Sequence, residues 1–178
     1  MKILIVIDMQ NDFITGSLGS SQAQAIVPKV KKRILQAIDE GYEIIYTLDS
    51  HDEDYPFTLE GRDLKVEHCQ IGTKGWELHP ELKNLLEKCG FEIEKETHGT
   101  ITFDDYFNQD ECKEIEEVVL VGLCSDICVL QNALILSAIY KYATIIVDAS
   151  CTAGVTEETH KMALELLKLN HIKVIDNE

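Results

Sequence analysis

Residues 3–7 read ILIVI, five branched aliphatic side chains in a row with no polar residue on either side of the pleat. A strand of that composition is covered on both faces, and such strands belong to parallel sheets sandwiched between helices. Similar short apolar runs return at residues 43–48 (EIIYTL), 91–93, 118–121 (VVLV), 144–147 (TIIV) and 172–175, giving six predicted strands. Helical patterns lie between them. Ile26, Val30, Ile34, Leu35 and Ile38 mark the apolar face of a helix over 25–40 that is closed by Gly41, since glycine readily takes the left-handed cap conformation. His79-Pro80 opens a shorter helix that runs to Lys88 and ends at Cys89-Gly90. Residues 126–142 are helical and so apolar that cover on most sides is expected, and residues 156–169 form an amphipathic helix. Repeated strand and helix units predict an α/β fold, three-layer α/β/α, with a six-stranded mainly parallel sheet. At 178 residues, with no internal repeat, linker or low-complexity tract, the chain is expected to form a single domain over 1–178. Residues 49–74 show no periodicity, and an irregular segment of that length in a compact domain tends to be functional.

Sixteen basic against 32 acidic residues give a formal net charge of −16. That balance leaves no basic patch to neutralise phosphates and repels anionic lipids, so neither nucleic acid nor a membrane is expected as a partner. No segment reaches the roughly 20 consecutive apolar residues that span a bilayer. Asp8 also interrupts the N-terminal apolar run before the core of a signal peptide can form. The expected location is cytoplasmic, with Cys69, Cys89, Cys112, Cys124, Cys128 and Cys151 as reduced thiols.

In open α/β sheets, ligands bind beyond the carboxyl ends of the strands, near the point where strand order reverses. Those positions hold Asp8 after the first strand, Asp49 and His51 after the second, Lys95 after the third and Gly122 to Cys128 after the fourth. Alone, an Asp or Lys just past a strand is usually a turn residue, and a cysteine is usually a packed one. Their convergence on one edge is what points to chemistry. Cys128 falls where a strand turns into a helix, so unpaired backbone N–H groups and the helix dipole favour its thiolate. Asp8 can serve as its base if the first and fourth strands are neighbours, and the same N–H groups suit an oxyanion. The CxxxC spacing of Cys124 and Cys128 leaves a disulfide or a zinc pair open, although no second pair of metal type accompanies it. In the irregular segment, Asp49, His51, Glu60 and His68 offer carboxylate and imidazole donors suited to zinc, manganese or iron. Asp52, Glu53, Asp54, Asp63 and Glu67 crowd the same stretch and compete for that assignment.

Taken together, Asp8-Met-Gln-Asn-Asp-Phe13, Asp49-Ser-His51, His68-Cys-Gln-Ile-Gly72-Thr-Lys-Gly75 and Gly122-Leu-Cys-Ser-Asp-Ile-Cys128-Val resemble motifs of the isochorismatase-like cysteine hydrolases. The likeness covers essentially the whole chain in the same order, and the metal motif is similar to that of the nicotinamidase branch. The resemblance implies that Cys128 is the nucleophile, Asp8 the base and Lys95 the cation that completes a triad. It implies an oxyanion hole from the backbone amides of Cys124 and Cys128, with a cis peptide just before Cys124. Asp49, His51 and His68 match the metal ligands of the family. Its fourth ligand varies between histidine and glutamate, and Glu60 lies at the spacing of the glutamate version. Phe13 matches the aromatic wall of the substrate pocket, while Trp76, Phe103, Tyr106 and Phe107 are further aromatic residues that the sequence does not place. Lys95 departs from the pattern in being flanked by Glu92, Glu94 and Glu96.

The activity so implied is hydrolysis of nicotinamide to nicotinate and ammonia, a step of NAD salvage, through a thioester on Cys128. One divalent ion, Zn2+ ahead of Fe2+ or Mn2+, orients the ring through its pyridine nitrogen. The family also commonly forms homo-oligomers. Two other readings stand beside this one: a related hydrolase acting on another small amide, and a non-enzymatic sensor that binds a small molecule or a metal. The sensor reading lacks its natural support, since neither G-x-G-x-x-G nor G-x-x-x-x-G-K-[ST] occurs in the chain.

Overall fold

Strand β1 (Lys2–Ile7) pairs in parallel with β2 (Glu43–Asp49) on one side and with β4 (Glu117–Leu123) on the other, so the first strand of the chain lies inside the sheet. The computed structural model describes residues 1–103 and 114–176. Adding β3 (Gly90–Lys95), β5 (Thr144–Ala153) and β6 (Lys173–Ile175) gives six strands in the order β3-β2-β1-β4-β5-β6. Every pairing between these strands is parallel. The chain builds outward from β1 to β3, then returns to start the other half at β4. The reversal of strand order therefore falls between β1 and β4, where a ligand crevice is expected.

The unbroken apolar run of β1 serves two layers at once, because successive side chains point to opposite faces. Leu4 and Val6 pack with Ile14 of the short helix α1 (Asn11–Ile14), with Ile26, Val30 and Ile34 of α2 (Ser21–Asp39) and with Leu82 and Leu86 of α4 (Pro80–Cys89). Ile3, Ile5 and Ile7 pack with Val129, Ala133 and Leu136 of α5 (Cys128–Ile139) and with Leu167 of α6 (Glu157–Leu169). All five β1 side chains are fully buried, each worth about 1.5–3 kcal/mol of transfer free energy. No described helix is long and apolar enough to cross a membrane.

Three expectations change. Leu35 and Ile38, read as part of the buried face of α2, are 47% and 37% exposed; Arg33 and Ala37 hold the inner positions of the stripe instead. Helix α5 is shorter than the predicted 126–142, and its cover is one-sided. Val129, Asn132, Ala133 and Leu136 are buried, whereas Gln131 and Ala138 are exposed and Leu130, Leu134 and Ile139 are half-buried. The segment 49–74 is also more ordered than its lack of period suggests. It holds a 3-10 turn at Tyr55–Phe57 and the short helix α3 (Leu59–Leu64), capped by Thr58 Oγ1, which accepts from Gly61 N at 3.0 Å.

Gly122 fixes how closely β4 follows β1. Its φ is +114°, and a Cβ there would stand 2.1 Å from the Ile7 carbonyl oxygen. Only glycine allows that approach, which brings the chain beyond β4 alongside the chain beyond β1.

Candidate active site

Asp8 is the first residue after β1, fully buried, with a left-handed φ of +48°, a region that Asp enters more readily than most residues. Its Oδ1 accepts from Thr47 Oγ1 at 2.6 Å, and its backbone N–H donates to the same hydroxyl at 3.1 Å. Its Oδ2 lies 2.8 Å from Lys95 Nζ but accepts no well-aligned hydrogen bond among the described residues. Lys95 closes β3 opposite Asp49 of β2. Its ammonium reaches Asp49 Oδ1 at 2.9 Å, the Thr97 carbonyl at 3.2 Å and Cys128 Sγ at 3.8 Å. Cys128 opens α5, where the first N–H groups have no partner within the helix. The structure thus brings Asp8, Lys95 and Cys128 together, as expected once β1 and β4 are neighbours. The Leu123–Cys124 peptide is cis.

Burial pushes the Cys128 thiol well above its ordinary pKa; Lys95 pulls it down, and Asp8, Asp49 and Cys124 push it further up. These shifts favour the protonated thiol over the thiolate that the helix start alone predicts. A local dipole is outweighed by desolvation and by two buried carboxylates. Burial likewise raises Asp8, with Lys95 opposing and Asp49 reinforcing the shift, which makes Asp8 a stronger base than an exposed carboxylate. For Lys95, burial works against the charge, but Asp8, Cys128 and Asp49 prevail and hold its pKa well above the usual value. The ammonium stays charged.

Beside this group stand Asp49, His51, Glu60 and His68, whose donor atoms all lie within 4.8 Å of one another. His51 Nε2 and His68 Nε2 are 2.9 and 3.3 Å from Asp49 Oδ2, and 4.0 and 3.4 Å from Glu60 Oε1. A divalent ion with N and O donors at about 2.0–2.2 Å holds them about 3–4.5 Å apart, so these residues fit such an ion. The sequence explains how they meet. An isolated parallel bridge pairs His51 with Gln70, His51 N donating to the Cys69 carbonyl at 3.0 Å and Ile71 N to the His51 carbonyl at 2.9 Å. His68 Nδ1 lies 2.9 Å from the Val66 carbonyl, which turns Nε2 toward the cluster. Burial opposes a charge on His68, but its hydrogen bonds to Asp49 and Glu60 win and raise its pKa to about 10. Asp49 moves the other way: burial is overcome by hydrogen bonds from both imidazoles and by Lys95, leaving it well below the usual carboxylate range. The cluster attracts positive charge. Asp52, Glu53, Asp54, Asp63 and Glu67 stay outside it.

Phe13 is buried with its ring 5.5 Å from that of His68, edge to face, on the cluster side of the site. Trp76 donates from Nε1 to Ser50 Oγ at 2.8 Å. Phe103 is fully buried in the core under α5 and does not wall a pocket; Tyr106 and Phe107 lie outside the described residues. Cys69, Cys89, Cys124, Cys128 and Cys151 are free, so Cys124 and Cys128 form no disulfide, and neither belongs to the metal-type cluster; Cys112 lies outside the described residues. A cavity of about 680 Å³ opens beside the cluster, bounded by His51, Tyr55, Glu60, Thr97, His98 and Ile127 among others.

Four residues of the site were not singled out from sequence. Gln10, inside the opening motif, accepts from Asp49 N at 2.8 Å and donates to the carbonyls of Asp49 and Trp76 at 2.8 Å each. Thr47, a polar residue late in the run EIIYTL, holds Asp8. Tyr55 packs on His51 with ring centroids 4.2 Å apart, and His98 Nδ1 lies 3.3 Å from Glu60 Oε2. Polarity inside an apolar strand would have flagged Thr47, and proximity to Lys95 would have flagged His98.

The isochorismatase domain model matches residues 2–178. The isochorismatase family protein PncA of Bacillus subtilis is 32% identical over 175 residues, 92% of each chain. The nicotinamidase/pyrazinamidase of Mycobacterium tuberculosis is 26% identical over 186 residues, 98% of each chain. Among solved structures, the B. subtilis nicotinamidase/pyrazinamidase superposes with a TM-score of 0.86 at 31% identity, over 98% of this chain and 99% of that one. The Streptococcus mutans pyrazinamidase/nicotinamidase gives 0.85 at 30%, over 98% and 100%. With motifs, topology and near full-length similarity in agreement, this chain belongs to the isochorismatase family, on its nicotinamidase branch.

Proposed function

We propose that this amidohydrolase converts nicotinamide to nicotinate and ammonia by covalent catalysis on Cys128, with Asp49, His51, Glu60 and His68 holding one divalent ion. The names of its relatives support the substrate, and the donor set suits zinc, with iron or manganese as alternatives. One observation carries the reading: a single buried ammonium, Lys95, touches Asp8, Cys128 and the Asp49 carboxylate of the metal-type cluster.

Cys128 passes its proton to Asp8 as Sγ bonds to the carboxamide carbon. Lys95 balances the negative charge that moves between Sγ and the Asp8 carboxylate. The oxyanion rests on the backbone N–H groups of Cys124 and Cys128. When the C–N bond breaks, Asp8 returns the proton to the departing ammonia and a thioester remains. Asp8 then takes a proton from water as its oxygen attacks the thioester carbon. The C–S bond breaks as Asp8 gives its proton to Sγ, which restores the thiol, and the acid leaves as nicotinate with its carboxyl proton lost to solvent. A divalent ion held by Asp49, His51, Glu60 and His68 would supply a Lewis-acidic site for the pyridine nitrogen and so orient the ring. Phe13 closes one side of the ring.

The direct test is ammonia release from nicotinamide by the purified protein, with Cys128→Ala alongside. Loss of turnover in the variant is expected, and full activity would end the covalent scheme. Benzamide, which lacks the ring nitrogen, should turn over far more slowly. Equal rates would assign the protein to a broader class of small-amide hydrolases.

A further inference from the structure

One turn into α5, Asn132 is fully buried and uses every polar atom of its side chain. Nδ2 donates to the Cys128 carbonyl at 2.8 Å, within the helix, and to the His98 carbonyl at 3.0 Å, outside it; Oδ1 accepts from Thr100 N at 3.0 Å. The loop it grips serves both halves of the site. Thr97 supplies a carbonyl to the Lys95 ammonium, and the His98 ring meets the second oxygen of Glu60. Gly99 faces the same helix, where the nearest atoms a Cβ would meet are the movable side-chain ends Ile135 Cδ1 and Gln131 Oε1, at 2.6 and 3.1 Å, so the Asn132 hydrogen bonds are what fix the loop to the helix.

We propose that Asn132 is a positioning residue: by fastening the 97–100 loop to the helix that carries Cys128, it sets, through His98, where Glu60 stands relative to the nucleophile. The inference rests on the roles given above to Cys128 and Glu60. An apolar side chain of similar size would fill the same space but leave the His98 carbonyl and Thr100 N–H without their buried partner. The loop would then be free to lift from the helix, carrying His98 away from Glu60 and the Thr97 carbonyl away from Lys95.

Asn132→Ala and Asn132→Leu both remove the hydrogen bonds to the loop, the second while filling the space, and His98→Ala removes only the hold on Glu60. Three measurements separate their effects: zinc affinity by competition with a chromogenic chelator, the rate of Cys128 alkylation by iodoacetamide in metal-free protein, and kcat and KM for nicotinamide. Asn132→Ala and Asn132→Leu should each weaken zinc binding about 10-fold or more, as loss of an outer partner does, and change the alkylation rate. His98→Ala should weaken zinc binding while Cys128 reacts at the wild-type rate. Variants that melt earlier yet keep wild-type zinc affinity and alkylation would reduce Asn132 to a packing role and overturn the proposal. If Asn132→Ala does not fold, Asn132→Leu decides alone. Should the wild-type protein release no ammonia from nicotinamide, the assigned reaction fails, but zinc affinity and alkylation still decide the role of Asn132.

Discussion

The ammonium of Lys95 stands 2.9 Å from Asp49 Oδ1, while Oδ2 of the same carboxylate faces both imidazoles of the metal-type cluster. One aspartate is thus shared by the Asp8, Lys95 and Cys128 group and the groups that fit a metal. Lys95→Met leaves Asp8 and Asp49 buried without their common counter-charge. Breaking such a buried pair costs about 3–5 kcal/mol, so urea unfolding should show a loss of that size, with turnover reduced by roughly 100-fold or more. A variant as stable as the parent would show that the ion pairs do not hold the site together.

His160 braces the turn before the nucleophile, its Nδ1 lying 2.8 Å from Ser125 Oγ. Burial lowers its pKa below the ordinary value near 6.5, against the pull of Asp126 and Asp176. As pH falls through about 6.5, the unfolded chain takes up a proton that the folded chain refuses, so stability drops until the lower folded pKa is passed. His160→Gln keeps a polar partner for Ser125 and removes this titration. Its stability should fall less than that of the parent between pH 7 and pH 5 in urea melts; parallel curves would refute the assignment.

A divalent ion that binds only the folded state stabilises it by about 2.7 kcal/mol at a hundredfold excess over its Kd. Adding zinc or manganese to chelator-treated protein should raise the unfolding midpoint by a corresponding amount. The gain should shrink in Glu60→Ala and vanish in Asp49→Ala. A gain of parental size in Glu60→Ala would mean that another acid of the crowded segment takes its place.

Gly122→Ala tests the contact that aligns the two central strand ends. The left-handed φ of +114° alone costs an alanine about 1–3 kcal/mol. The approach to the Ile7 carbonyl adds a steric conflict that β4 relieves only by moving away from β1. The expected outcome is a loss of stability beyond the strain alone, together with slower turnover, because Asp8 and Cys128 follow those strands. Unchanged turnover would show that the site tolerates their separation.

The layers of the fold and the edge that carries the chemistry were legible because residues 3–7 and 118–121 are apolar without interruption. Such runs locate strand ends, and Asp8, Asp49 and Lys95 stand at strand ends. Helix α3 was not legible. Six residues make less than two turns, too few for a period to show, so Glu60 stood as one donor among several acids, and only the resemblance set it apart from them. The environment of the Cys128 thiol is not legible in the chain for a different reason. The helix dipole is a local property, while burial beside Asp8 and Asp49 depends on three strands that meet only in the fold. Leu35 and Ile38 show the same limit: their spacing fits a helix face, but which turn of that face meets the sheet is decided by packing. The clamp from Asn132 to His98 and Thr100 joins residues far apart in the chain and leaves no local pattern at all.

The bridge between His51 and Gln70 closes a loop that carries His51, Glu60 and His68, whereas Asp8, Lys95 and Cys128 stand at two strand ends and a helix start. Under the proposed function, exchanges inside that loop would alter how the ring is gripped while Asp8, Lys95 and Cys128 keep their frame. A chain built on this plan could then change its diet by rewriting one stretch of its length.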